Sequence, residues 1–155
     1  MGLLYGLEPA GNNVVEHRPM RTGKTYYAGQ IVKLSTLGSI YTAATSATGI
    51  YGVLLEDNVT TASEKTTKVP VAVFSPGALF RAKTSASAGE RVIGTLADFA
   101  LNTTSRYRLN CSAKNQRNFQ VVRLGTEQSG TAAGRPIIVS VPSSMSQYIG
   151  VGARG

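Results

Sequence analysis

Residues 49–83 read GIYGVLLEDNVTTASEKTTKVPVAVFSPGALFRAK, and the fold depends on how this stretch is parsed. Apolar, β-branched and aromatic residues fill 50–55, a polar loop covers 56–68, and a second apolar run spans 69–74. Ser75-Pro76-Gly77 punctuates that run, and residues 78–83 lead the chain away. Short runs of this composition bounded by Gly, Pro, Asn and Ser are the pattern of β-strands. The stretch predicts a hairpin of 69–74 with 78–84, in whose turn Pro76 presets φ and Gly77 accepts a positive φ. Pro70 cannot donate to a ladder, which predicts an edge, a bulge or a strand start for it.

Similar signals recur on both sides. Toward the N-terminus, Tyr26-Tyr27, a turn at Ala28-Gly29, 31–34, 38–45 and 49–55 read as strands spaced about 8–12 residues apart, which favours an antiparallel barrel or sandwich over βαβ units. Toward the C-terminus, 91–94 reads as a short strand and 95–101 (TLADFAL) as the one plausible helical turn or two. Residues 102–118 are polar and basic. The stretch 118–124 (NFQVVRL) alternates, with Phe119, Val121 and Arg123 pointing one way and Gln120, Val122 and Leu124 the other. The run 136–141 (PIIVSV) is the most apolar strand of this half, and Pro142 ends it. The expected fold is all-β: a single small antiparallel β-barrel or sandwich with extended N- and C-terminal arms and at most one short helix. The expected divisions are an extended arm over 1–22 with one short strand at most near Val14-Val15, a β-rich domain over 23–142, and a flexible tail over 143–155.

The chain of 155 residues carries 17 Gly and no Trp, a profile that suits strands and turns. Charged residues make up only 15%, against about 25% in ordinary domains, which fits either a surface much of which meets another protein or a Ser/Thr-coated soluble domain. The net charge of +8 is uneven. Beyond Ala100, Arg106, Arg108, Lys114, Arg117, Arg123, Arg135 and Arg154 face a lone acid, Glu127, which points to a polyanionic partner without naming one. The basic residues are spread singly and no RNA-binding aromatic signature accompanies them, so nucleic acid is not the expected partner. Cys111 is the one cysteine, which leaves no intrachain disulfide and no CxxC site. No apolar stretch reaches the roughly 18 residues that span a bilayer. The N-terminus lacks the cationic start and apolar core of a signal peptide, which gives synthesis in the cytoplasm as the expectation.

Gly23-Lys24-Thr25 mimics the end of a phosphate loop, but Arg18 stands where the earlier Gly is needed. His17 is the sole histidine, and no GxSxG elbow presents a nucleophile. Glu56-Asp57 lacks the alternating oxygen ligands of a calcium loop. Three Asn-x-Ser/Thr triplets, at Asn58, Asn102 and Asn110, match what chance yields in so Ser/Thr-rich a chain. The residues therefore predict no enzyme, no cofactor and no metal.

Gly29-Gln30-Ile31-Val32-Lys33-Leu34, then Gly49-Ile50-Tyr51-Gly52-Val53-Leu54-Leu55, then Val69-Pro70-Val71-Ala72-Val73-Phe74 resemble the capsid decoration (cement) proteins of tailed bacteriophages. In those small β-rich domains a "G-x-x-V-x-L … G-hydrophobic-x-G-V" pattern precedes a strand with valines at alternate positions. The likeness runs from Gly29 to Lys83, about a third of the chain. It implies a structural virion protein on the outer capsid surface, binding between major capsid subunits as a homotrimer and stabilising the head. Tyr5, Arg18, Arg21, Lys24, Tyr26, Tyr27, Tyr148 and Ile149 are the candidate partner contacts, since large aromatics dominate interface energetics and basic groups steer docking. Two readings stand beside it: a virion connector or tail component, and a barrel that binds single-stranded nucleic acid through its basic half and its tyrosines.

Overall fold

The computed structural model describes residues 6–11, 13–21, 25–36, 38–44, 47, 49–59, 68–84, 93–103, 106–111, 118–124 and 136–148, with the side chains of 58, 59, 101–103 and 106 excepted. Within them lie β1 (Glu8–Pro9), β2 (Val15–Pro19), β3 (Thr25–Tyr26), β4 (Ile31–Leu34), β5 (Ile40–Thr42), β6 (Gly52–Leu54) and β7 (Asn58–Val59). The second half adds β8 (Lys68–Val73), β9 (Phe80–Lys83), β10 (Leu96–Thr103), β11 (Arg106–Asn110), β12 (Phe119–Leu124) and β13 (Pro136–Ser140). The fold is all-β, two antiparallel sheets packed as a sandwich and not a closed barrel. One sheet runs β1-β9-β13-β12-β10-β11, the other β2-β8-β6-β4-β5, and β3 pairs with β7 apart from both.

The main core fills the space between the sheets. Ile31, Val53, Ala72 and Phe74 meet Phe80, Phe99, Leu109, Phe119, Val121, Ile137 and Val139 there, all nearly or fully buried. Phe74 sits edge-on to Phe80 at 4.9 Å and to Phe119 at 5.8 Å, the arrangement that aromatic quadrupoles favour. A second cluster covers the opposite face of the five-stranded sheet: Met20, Tyr26, Val32, Ile40, Tyr51, Leu54, Val69, Val71 and Val73. This sheet is therefore buried on both faces, and 69–74 reads as one unbroken apolar run for that reason. Along β8 the valines at 69, 71 and 73 enter the second cluster, while Ala72 and then Phe74 enter the first.

Several local expectations are corrected. Residues 69–74 and 78–84 make no hairpin: β8 pairs with β2 and β6, whereas β9 pairs with β1 and β13. The turn itself forms, with Ala78 N donating to Ser75 O at 3.0 Å and Gly77 at φ +78°, but it carries the chain across the core from sheet to sheet. The stretch 95–101 is no helix. From Leu96 onward it belongs to β10, where partners on both sides, β11 and β12, outweigh the helical leaning of its Leu and Ala. Among the described residues the helical turn is 3-10, at Ser143–Met145. Ile93 and Gly94 form a turn instead of a strand, and the polar stretch after 102 supplies β11. Pro70 lies inside β8, opposite His17, and accepts from Leu55 N just past the last β6 partner pair, Leu54 with Val71, so its missing N–H falls beyond that ladder.

Within the segment expected as an arm, the described part holds two strands, where one at most was expected. β1 joins the six-stranded sheet, β2 the five-stranded one, and Leu7 and Met20 are buried in the two cores. The alternation predicted for 118–124 holds through Val122, which is 37% exposed. A register shift between Val121 and Arg123 then turns Leu124 back against the core.

Candidate docking surface

β2 carries one of the candidate contacts, Arg18, and Arg21 follows just past its end. Its ladder to β8 fixes which backbone groups face outward. Val73 N donates to Val14 O at 3.0 Å, so the bonded pairs are 14 with 73, 16 with 71 and 18 with 69. The N–H and C=O of Val15 and His17 point the other way, along the sheet edge. Pro19 has the same parity, where a residue without N–H is tolerated. Just past β2, Met20 bridges Ile40 in parallel and Arg21 N donates to Ile40 O at 3.0 Å, so the two edges of this curled sheet meet at one point.

The side chains of β2 that face the second core form a compact polar group. Tyr51, 1% exposed, donates its hydroxyl to Glu16 Oε1. Arg18 Nε donates to the Tyr51 oxygen at 3.1 Å, its NH2 lies 3.2 Å from Glu16 Oε1, and its guanidinium stands 5.6 Å from the Tyr51 ring centre. The Arg18–Glu16 pair is about one-third exposed, which limits its own worth to under about 1 kcal/mol. Arg21 stacks over Tyr41, 4.6 Å from its ring centre.

The residues after β13 form a strap over the end of the five-stranded sheet. Ile50 N donates to Met145 O at 2.9 Å and Gln147 N to Ile50 O at 2.7 Å, a short parallel pairing beside β6. Ser146 Oγ donates to Phe74 O at 2.6 Å, and Tyr148 packs against the second core. This part of the segment expected as a tail is thus pinned through both backbone and side chains.

The eight candidate contacts separate accordingly. Tyr5, Lys24 and Ile149 lie outside the described residues. Tyr26 is fully buried, its hydroxyl 3.5 Å from the carbonyls of Arg21 and Ile40, so it is a core residue and not an anchor. The second cluster claims it because this sheet needs apolar cover on its outer face. Arg18 and Arg21 sit together at the end of β2; Tyr27 and Tyr148 are half-buried, Tyr27 on the turn before β4 and Tyr148 on the strap. Sequence reasoning passed over Glu16, Tyr51 and Gln147, whose partners are 35, 35 and 113 positions away. It also missed the role of Val14 and Val15, 43% and 45% exposed beside the edge.

Elsewhere, Tyr107 donates to Ala43 O at 2.6 Å, and burial pushes its phenol well above the ordinary tyrosine range. Asp57 Oδ1 accepts from Ala28 N at 2.7 Å and so closes the 28–29 turn. Among the described residues no group of three or more His, Cys, Asp or Glu side chains is placed to hold a metal ion. No helix there is long and apolar enough to cross a membrane. Comparison with protein-family models, curated proteins and solved structures found no match to this chain.

Proposed function

We propose that the chain is a structural virion protein, a cement protein that binds the outer surface of a phage capsid between major capsid subunits, as a homotrimer, and stabilises the head. The observation that supports this reading most is the arrangement of the three stretches carrying the likeness. They contain β4, β6 and β8, direct neighbours in one sheet, so the likeness falls on a continuous scaffold with β2 laid along its side. A slab buried on both faces is stiff enough to resist deformation, and many equivalent copies on a lattice gain avidity from modest single contacts. The burial of Tyr26, Tyr51 and Tyr107 removes three of the seven tyrosines from the stacking surface that a single-strand nucleic-acid barrel needs.

The test is co-sedimentation of the purified protein with mature heads of its phage. Saturable binding at a copy number set by the lattice symmetry axes supports the reading. A copy number matching one ring at a single vertex would replace cement with connector, and no binding to heads or virions would overturn both.

A further inference from the structure

We infer that the open edge of β2 between Val15 and Pro19 is a strand-addition site for an extended acidic segment of a partner protein. Every other edge of the two large sheets is short, bridged or charged. β1 has two residues and contains Pro9. β5 has three and is met at Ile40 by Met20 and Arg21. β11 is bridged at Leu109 by Thr84 and carries Arg106 and Arg108. β2 has five residues, and among the described residues no bridge meets its first half. A strand edge of that kind templates pairing with another chain, and natural folds normally blunt it.

The surroundings choose the occupant. Val14 and Val15 lie exposed on opposite faces of the strand, so an added strand finds an apolar side chain on each face. The Glu16 carboxylate is met by Arg18 and by the Tyr51 hydroxyl, while Arg21 and Lys68, both exposed, leave the neighbourhood positive. A second copy is disfavoured. The antiparallel self-pairing that uses all four outward groups sets Val15 against His17 and Glu16 against its own counterpart, and like charges directly opposite are destabilising. An extended segment alternating apolar and acidic residues meets the valines and the positive rim together. The inference rests on the cement reading for the identity of that partner, and on the register of β2 for the site.

Register also supplies the test. Proline at 15 or at 17 removes an outward N–H and leaves the ladder to β8 intact. The full-length protein is titrated with two synthetic octapeptides, alternating Val-Glu and alternating Val-Lys, and followed by amide NMR. The amides of Val15 and His17 are expected to shift with the Val-Glu peptide and several-fold less with its lysine twin. Val15→Pro and His17→Pro are expected to abolish the response while the remaining spectrum stays native. Before any peptide is added, the amides of Val15 and His17 are expected to exchange with solvent faster than those of Glu16 and Arg18. Unmoved amides, equal response to both peptides, undiminished binding by both proline variants, or a concentration-dependent dimer lost on Val15→Pro would each overturn the inference. On heads, wild-type and proline variants binding equally would remove the edge and spare the cement reading. A wild type that takes the peptide and ignores heads would do the reverse.

Discussion

Gln147 holds Leu34 by both ends of its amide: Leu34 N donates to Oε1 at 2.9 Å, and Nε2 donates to Leu34 O at 3.3 Å. β6 pairs with β4 only at Ile31 and Val32, so a side chain 113 positions along the chain stands in for the strand that does not reach Leu34. The same residue bonds Ile50 through its own N–H, which makes it the pin of the strap.

Gln147→Ala removes both amide bonds and leaves the backbone groups of Leu34 to water. A loss of about 1–2 kcal/mol is expected, two ordinary net hydrogen bonds, read by urea unfolding. An unchanged midpoint would mean that the Gln147 amide contributes nothing to the stability of the sheet.

Gly52→Ala tests the closeness of β6 and β8. A Cβ there would stand 2.5 Å from Ala72 O and 2.6 Å from Val71 Cγ1, and the backbone of a central strand cannot step aside. The expected cost is about 1–3 kcal/mol or more, as for an overpacked core, read as a drop in Tm.

Phe119 and Val122 should behave oppositely although three positions apart. Phe119→Ala opens a hole beside Phe74 and Phe99 and is expected to cost about 3–5 kcal/mol. Val122→Ala, on the exposed side of the register shift, is expected to stay within about 0.5 kcal/mol. Equal losses by thermal unfolding would place the shift elsewhere in β12.

Tyr107 sets an alkaline limit. A tyrosine in the unfolded chain ionises near pH 10, whereas the buried phenol holds its proton to higher pH. Below about pH 10 both states are protonated and the contribution is complete; above it the unfolded state alone gives up the proton, so stability falls as pH rises. Urea unfolding between about pH 8 and pH 11 should show that decline, and Tyr107→Phe should lessen it. An identical slope in the variant would remove Tyr107 as its source.

The amino-acid sequence determined that the chain is built of strands. Its runs of Val, Ile, Tyr and Phe between Gly, Pro and Ser leave little else, and the turn at Ser75-Pro76-Gly77 forms as its residues require. These are local properties, set within a few residues by sterics and side-chain shape. Tertiary structure alone decided which strands are neighbours. It sent β8 and β9 to different sheets, drew residues 96–101 into a strand, buried Tyr26, and brought Glu16 to Tyr51 and Gln147 to Leu34. Pairing and burial are selected by contacts between distant parts of the chain, and a sheet covered on both faces erases the alternation that would reveal its inner side.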